Sequence, residues 1–206
     1  LQAESIAPQE KNRTMKTWIA SMILIAAMGA QAQTPAQSAP VPVFAHPRFT
    51  LSTTAFEDGG IIPIRYSAAS ASAPVTPHLT WDYVPDGTVS FALIVVDPEV
   101  LINNTVTVKP HWLMFNIPGT ARELAEGIPA VSQLPDGAIQ LVSQNNTVGY
   151  TGMGAYAPGP YHHYTFQLFA LDTKLNLGPG ATMQDMEIAM NGHILMKAEI
   201  VGRFHR

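Results

Sequence analysis

Three residues of this chain have the types and spacing to do chemistry together: Asp97, His111 and His162. Asp97-Pro98 closes an apolar run from Ser90 to Val96, His111-Trp112 opens the next run, and His162-His163-Tyr164 opens a third. If the first two runs are neighbouring antiparallel strands, Asp97 and His111 fall at the same end of one sheet. Side-chain alternation puts His162 on the face of Tyr164, Phe166, Leu168 and Ala170, so it points inward, whereas His163 shares the face of Thr165 and Gln167. The segment before it, Gly152 to Pro160, holds three glycines and two prolines and reads as a loop.

An aspartate and two histidines beside such a loop can act in three ways. Imidazole or imidazolium N–H groups and loop amides can hold a phosphate or carboxylate, with Asp97 orienting one ring. Two histidines and a carboxylate can ligate a metal. Either His111 or His162 can serve as a general base. Ser132, Ser143 and Thr151 sit in no Gly-x-Ser-x-Gly elbow, which leaves a serine hydrolase without support. His46, His78, His193 and His205 have no partner pattern and read as structural or solvated.

Composition narrows the classes further. The chain has 206 residues, 47% hydrophobic and 13% charged, enough to bury a sizeable core. A formal charge of −4 without a basic stripe argues against nucleic acid. The absence of cysteine excludes disulfides, thiol nucleophiles and iron–sulfur clusters.

The elements that must position the three residues are mostly strands. Apolar runs alternate with turn signals such as Asp58-Gly59-Gly60, Pro85-Asp86-Gly87 and Pro135-Asp136-Gly137, which favours a mainly β domain with an antiparallel or mixed sheet core. The clearest strands are 90–96, 111–117, 163–171 and 194–201. Two short peripheral helices are signalled by caps: Thr120 with Glu123, closed by Gly127, and Thr182 with Asp185, closed by Asn191-Gly192. Met183, Met186 and Met190 on the second read as core packing.

Upstream, Lys16, the apolar run Trp18 to Gly29 and Ala30-Gln31-Ala32 have the form of a bacterial signal peptide beginning at Met15 and cleaved after Ala32. Residues 1–32 are thus expected to be leader plus signal, 33–48 a flexible Ala/Pro/Gln/Ser lead-in, and 49–206 one domain. The apolar run falls short of the ~20 residues that span a bilayer, so the product is expected in the periplasm or secreted, with no stable membrane insertion.

Phe49-Thr50-Leu51, Ala55-Phe56-Glu57-Asp58-Gly59-Gly60, Pro77-His78-Leu79-Thr80-Trp81, Pro85-Asp86-Gly87-Thr88 and Phe91 to Pro98 together resemble the phosphatidylethanolamine-binding protein family, in its bacterial YbhB/YbcL or Raf-kinase-inhibitor-like branch. His111-Trp112, Asn116-Ile117-Pro118, His162-His163-Tyr164-Thr165-Phe166 and Gly192-His193-Ile194-Leu195 extend the likeness over residues 49–206. The resemblance implies a β-sheet core with a few short helices and a pocket for phosphate or a phosphorylated headgroup. It places the pocket's Asp on Asp97, its His pair on His111 and His162 and its Tyr on Tyr164. Its wall falls on Pro98, Trp112, Gly154 and Pro158. It implies no cofactor and no resident metal, and binding rather than catalysis. Eukaryotic relatives that inhibit kinases or proteases make a regulatory inhibitor or adaptor with a protein partner the alternative, and a metal-dependent or general-base hydrolase a more distant one. The chain departs from the family pattern in having Glu99 for Asp, His163 for Arg, and Gly154-Ala155-Tyr156-Ala157-Pro158 as its wall. If the anion needs imidazolium donors, affinity falls as pH rises through about 6 to 8.

Overall fold

The computed structural model describes residues 48–155 and 159–206. The expected leader, the signal segment, the lead-in up to residue 47, and Pro158 lie outside the described residues.

Among the described residues, eight strands form two antiparallel sheets. The smaller has the order β1 (Thr50–Thr53), β2 (Leu79–Asp82) and β5 (Glu123–Leu124). The larger runs β6 (Ile139–Gln140), β4 (Thr105–Pro118), β3 (Ser90–Ile102), β7 (His162–Leu171) and β8 (Ile194–Phe204). The one α-helix among the described residues is α1 (Met183–Met190), and two short 3-10 turns cover Ile64–Tyr66 and Gln144–Asn146. The mainly β expectation holds. No helix among the described residues is long and apolar enough to cross a membrane.

Strand β3 is apolar without alternation because the large sheet is covered on both faces. Phe91, Leu93 and Val95 enter the core against Leu51, Leu79, Trp81 and Leu124 of the small sheet. Ala92, Ile94 and Val96 enter a second core with Leu113 and Phe115, closed by Met186 and Met190 of α1. Each such large side chain contributes roughly 1.5–3 kcal/mol by leaving water. The methionines are packing residues, as expected. Thr182 caps α1: its hydroxyl accepts from the Asp185 N–H at 3.1 Å, and the Asp185 carboxylate accepts from the Thr182 N–H at 2.9 Å.

Two local expectations fail. Thr120 to Gly127 forms no helix; it contains β5 instead. Helical capping there is overridden by Trp81, whose backbone N–H donates to Arg122 O and whose indole N–H donates to Ala121 O, each at 3.0 Å, while Leu124 enters the core beside Leu79. The segment between Asp97 and His111, which falls outside the expected strands 90–96 and 111–117, continues β3 and β4 into a long hairpin arm. Its turn is Asn103-Asn104, with φ 51° and 61°, the left-handed pair that a two-residue hairpin needs.

Another asparagine holds the opposite end of β4. Asn116 sits at φ 56° where the β3–β4 register shifts, and its amide donates to Leu175 O at 3.0 Å while its carbonyl accepts from Leu175 N–H at 2.8 Å. Asn116→Ala is expected to lose about 2 kcal/mol in urea unfolding, from two hydrogen bonds and a disfavoured backbone conformation. An unchanged midpoint would mean that the bulge is not held by this contact.

Candidate functional site

His111 reaches the site through a defect in strand pairing. Val95 faces Trp112 and Val96 faces Pro110, so His111 is an extra residue on β4. Trp112 points into the core between the sheets, and strict alternation would send His111 to the other face. The bulge cancels that alternation and brings the imidazole edge-on to Tyr164, with ring centroids 5.1 Å apart. A second irregularity follows on β3: Asp97 pairs with Lys109 but Val100 with Thr107, leaving Pro98-Glu99 out of step. Pro98 has no N–H to lose from the ladder there.

Asp97 is 2% exposed and its carboxylate is fully engaged. Oδ1 accepts the Glu99 N–H at 2.9 Å, and Oδ2 accepts His162 Nδ1–H at 2.7 Å. Glu99 in turn accepts the His163 backbone N–H at 2.7 Å and lies 3.0 Å from its Nδ1. Burial raises the Glu99 carboxyl, but the His163 hydrogen bonds, with the charges of His163 and His162, outweigh it and hold it below its ordinary value. Two carboxylate–imidazole pairs therefore join β3 to β7 side by side.

His111 is held differently. Its Nδ1–H donates to the Gly152 carbonyl at 2.6 Å. Burial pushes this imidazole below its usual range; the Gly152 bond and Asp97 oppose that shift without overcoming it, and His162 adds to it. The two histidines, both expected as donors, thus have unequal partners: His162 has a carboxylate, whereas His111 has a carbonyl and a burial that favours its neutral form. The Tyr164 hydroxyl accepts the N–H groups of Gly154 at 3.2 Å and Ala155 at 3.0 Å. Burial and then the Asp97 carboxylate push it up strongly, so it stays a phenol.

These groups open on a cavity of about 620 Å³ lined by Asp97, His111, Gly154, His162 and Tyr164. The structure thus brings together five of the eight residues singled out from the sequence. Trp112 does not line it: the indole is fully buried, donates to Gln140 Oε1 at 2.8 Å and packs edge-on to Tyr150. Pro98 does not line it either, and Pro158 lies outside the described residues. Lys109, Gln144 and Thr151 do line it; sequence reasoning passed over the first two and weighed Thr151 only as a nucleophile. Lys109 was legible only through the hairpin register that sets it opposite Asp97. Gln144 and Thr151 carry no motif.

The metal alternative also changes composition. Among the described residues the set able to hold an ion is Asp97, Glu99 and His162, with ligand atoms within 4.8 Å of one another, and His111 is not part of it. Of these, Asp97 and His162 already bond each other, and the Glu99 carboxylate is bonded to His163.

Comparison with known proteins gives a consistent relationship. A family model described as phosphatidylethanolamine-binding protein matches residues 52–205. A UPF0098 protein of Methanothermobacter thermautotrophicus is 41% identical over 156 residues, covering 76% of this chain and 98% of its own length. UPF0098 protein YbhB of Escherichia coli is 33% identical over 132 residues, covering 63% and 81%. Among solved structures, Escherichia coli YbcL superposes with a TM-score of 0.68 at 26% identity, covering 78% of this chain and 99% of that one. A phosphatidylethanolamine-binding protein homologue of Chlamydia trachomatis superposes with a TM-score of 0.65 at 30% identity, covering 77% and 98%.

Proposed function

The chain belongs to the phosphatidylethanolamine-binding protein family, and from that premise we propose that its cavity binds a small anion, phosphate or a phosphorylated headgroup such as phosphoethanolamine. The observation that carries this reading is the Asp97–His162 pair at 2.7 Å. A buried carboxylate fixes the ring with Nδ1 as donor, so Nε2 is the nitrogen left to meet an anionic oxygen, through its N–H when the ring carries both protons. Lys109, on the cavity wall and in no ion pair among the described residues, adds positive charge that the bound anion would complement.

The role is binding, not turnover. In support, the Thr151 hydroxyl beside His111 donates to the His111 carbonyl at 3.2 Å and stands 3.4 Å from Nδ1, which is committed to Gly152 at 2.6 Å. The signal-like segment 15–32 places this binding outside the cytoplasm in the same proposal.

Phosphorus NMR titration of the wild type with inorganic phosphate and phosphoethanolamine is expected to show saturable binding. His162→Ala should weaken it at least ~tenfold, the cost of one charged hydrogen bond; it also leaves the buried Asp97 carboxylate with the Glu99 N–H alone, so Tm should fall, and the titration is read on the folded variant well below that Tm. Equal affinity in the variant would overturn the reading.

A regulatory role towards an extracytoplasmic protein is favoured by one feature, the apolar hairpin arm at the cavity mouth, where Leu101 is 70% and Val106 66% exposed and the two are cross-strand partners. Exposed apolar pairs of this kind mark contact surfaces. If an extracytoplasmic protease is inhibited, replacing both with serine should release it; inhibition that survives would remove the arm from the account.

A further inference from the structure

The two cavity histidines present opposite hydrogen-bonding characters to a ligand. Each has its Nδ1–H committed, His162 to the Asp97 carboxylate at 2.7 Å and His111 to the Gly152 carbonyl at 2.6 Å. Each therefore has Nε2 as its remaining ring nitrogen. With a proton on each nitrogen, His162 gives Nδ1–H to the carboxylate and offers Nε2–H to the ligand. His111 has only a neutral carbonyl as partner and is 2% exposed, so its Nε2 carries a lone pair and accepts. The Gln144 amide nitrogen stands 3.0 Å from His111 Nδ1 and 3.3 Å from Nε2; the Gly152 carbonyl, at 2.6 Å, is the nearer partner and keeps the proton on Nδ1, and the 3.3 Å contact leaves Nε2 to a closer donor.

The groups surrounding His111 reinforce its acceptor character. Asp97 on β3 and His162 on β7 are its charged neighbours, the Tyr164 phenol meets it edge-on, and Lys109 shares its strand. Glu99 and Arg206 complete the charged lining of the cavity. Burial acts first on this ring and favours the neutral form.

A fully deprotonated anion offers only acceptors and meets the His111 lone pair head-on. An anion that keeps one acidic proton satisfies both rings. We propose, resting on the anion-binding reading above, that the cavity selects phosphate monoesters in their singly ionised form, the P–O–H donating to His111 Nε2 and a charged oxygen accepting from His162 Nε2–H. This excludes the phosphodiester group as a preferred ligand, since it has no proton to give. It equally disfavours sulfate, which has the shape of phosphate but no proton in the accessible pH range.

The test compares methyl phosphate, dimethyl phosphate and sulfate by isothermal titration calorimetry on the full chain at pH 5.5 and pH 8. A phosphate monoester loses its second proton near pH 6, so at pH 5.5 methyl phosphate and dimethyl phosphate carry the same charge and differ by the proton. Methyl phosphate should bind roughly tenfold to a hundredfold tighter than either competitor at pH 5.5, and lose that advantage at pH 8. His111→Gln, whose amide can turn N–H towards the ligand, should even the preference between methyl phosphate and sulfate. Nitrogen-15 NMR of the imidazoles reads the tautomer directly in the wild type, without dependence on that variant's folding. Sulfate or dimethyl phosphate binding as tightly as methyl phosphate at pH 5.5 would overturn the proposal and leave anion binding standing. No binding of any of the three would remove the anion-binding reading itself.

Discussion

Asp97→Ala is expected to abolish measurable phosphate binding and to lower stability by about 3 kcal/mol, the range seen when one partner of a buried charged network is removed. The carboxylate is almost wholly buried and accepts two N–H groups, from Glu99 and from His162. Alanine leaves both donors without a partner and frees the His162 ring to turn. Electrostatics alone predicts the reverse for the ligand, because deleting a negative charge should favour an anion. The positional effect is expected to win: without the carboxylate, His162 Nδ1–H loses its acceptor and Nε2 is no longer fixed towards the cavity. Asp97→Asn separates the two contributions, since its single amide oxygen can accept one of the donors but supports no charge. It should recover roughly half of the lost stability and none of the binding. The measurements are urea unfolding and a phosphorus NMR titration; Asp97→Ala binding phosphate with wild-type affinity would sink the assignment.

Gly152→Ala should be nearly as damaging although no side chain is lost. Gly152 has φ +70°, and an added Cβ would lie 2.7 Å from Ala68 N and from Ser67 C, and 2.8 Å from Pro74 Cβ. Two of these are backbone atoms, so no rotamer change relieves the overlap, and the left-handed conformation adds its own cost. About 3 kcal/mol is expected, which in a domain of this size lowers Tm by about 10 °C. The same residue provides the carbonyl that holds His111 Nδ1, so any movement of this backbone also loosens the His111 tautomer. Gly154→Ala is the control: it lies two residues away on the cavity wall, and an added Cβ meets nothing within 4 Å. It should unfold within about 0.5 kcal/mol of wild type. A Gly152→Ala protein with wild-type Tm would show that the loop has room the geometry denies.

Much of the larger sheet was legible because its signals are local. The unbroken apolar run Phe91 to Val96 marks a strand buried on both faces, and the parity of Tyr164, Phe166, Leu168 and Ala170 correctly turned His162 inward. The Thr182–Asp185 cap lies within four residues and forms as expected. The cap-like Thr120–Glu123 pattern was as plausible locally and failed, because Trp81 and Leu79 compete for its backbone and for Leu124 from a distant part of the chain.

The site divides in the same way. Residue type and order were enough to select Asp97, His111 and His162 and to bring them to one end of a sheet, because strand alternation and antiparallel return are short-range geometry. Only the tertiary structure decided that His111 occupies a bulge, that Trp112 belongs to the core and not the cavity, and that Lys109 faces the site. Register is set by the summed packing of both cores and by the Asn103-Asn104 turn, none of which one strand's pattern contains. The unequal character of the two histidines was likewise out of the sequence's reach. It depends on which acceptor each Nδ1 meets, a buried carboxylate from β3 in one case and a loop carbonyl in the other. Those partners are chosen by folding, because an imidazole's tautomer follows its nearest hydrogen bond and not its neighbours in the chain.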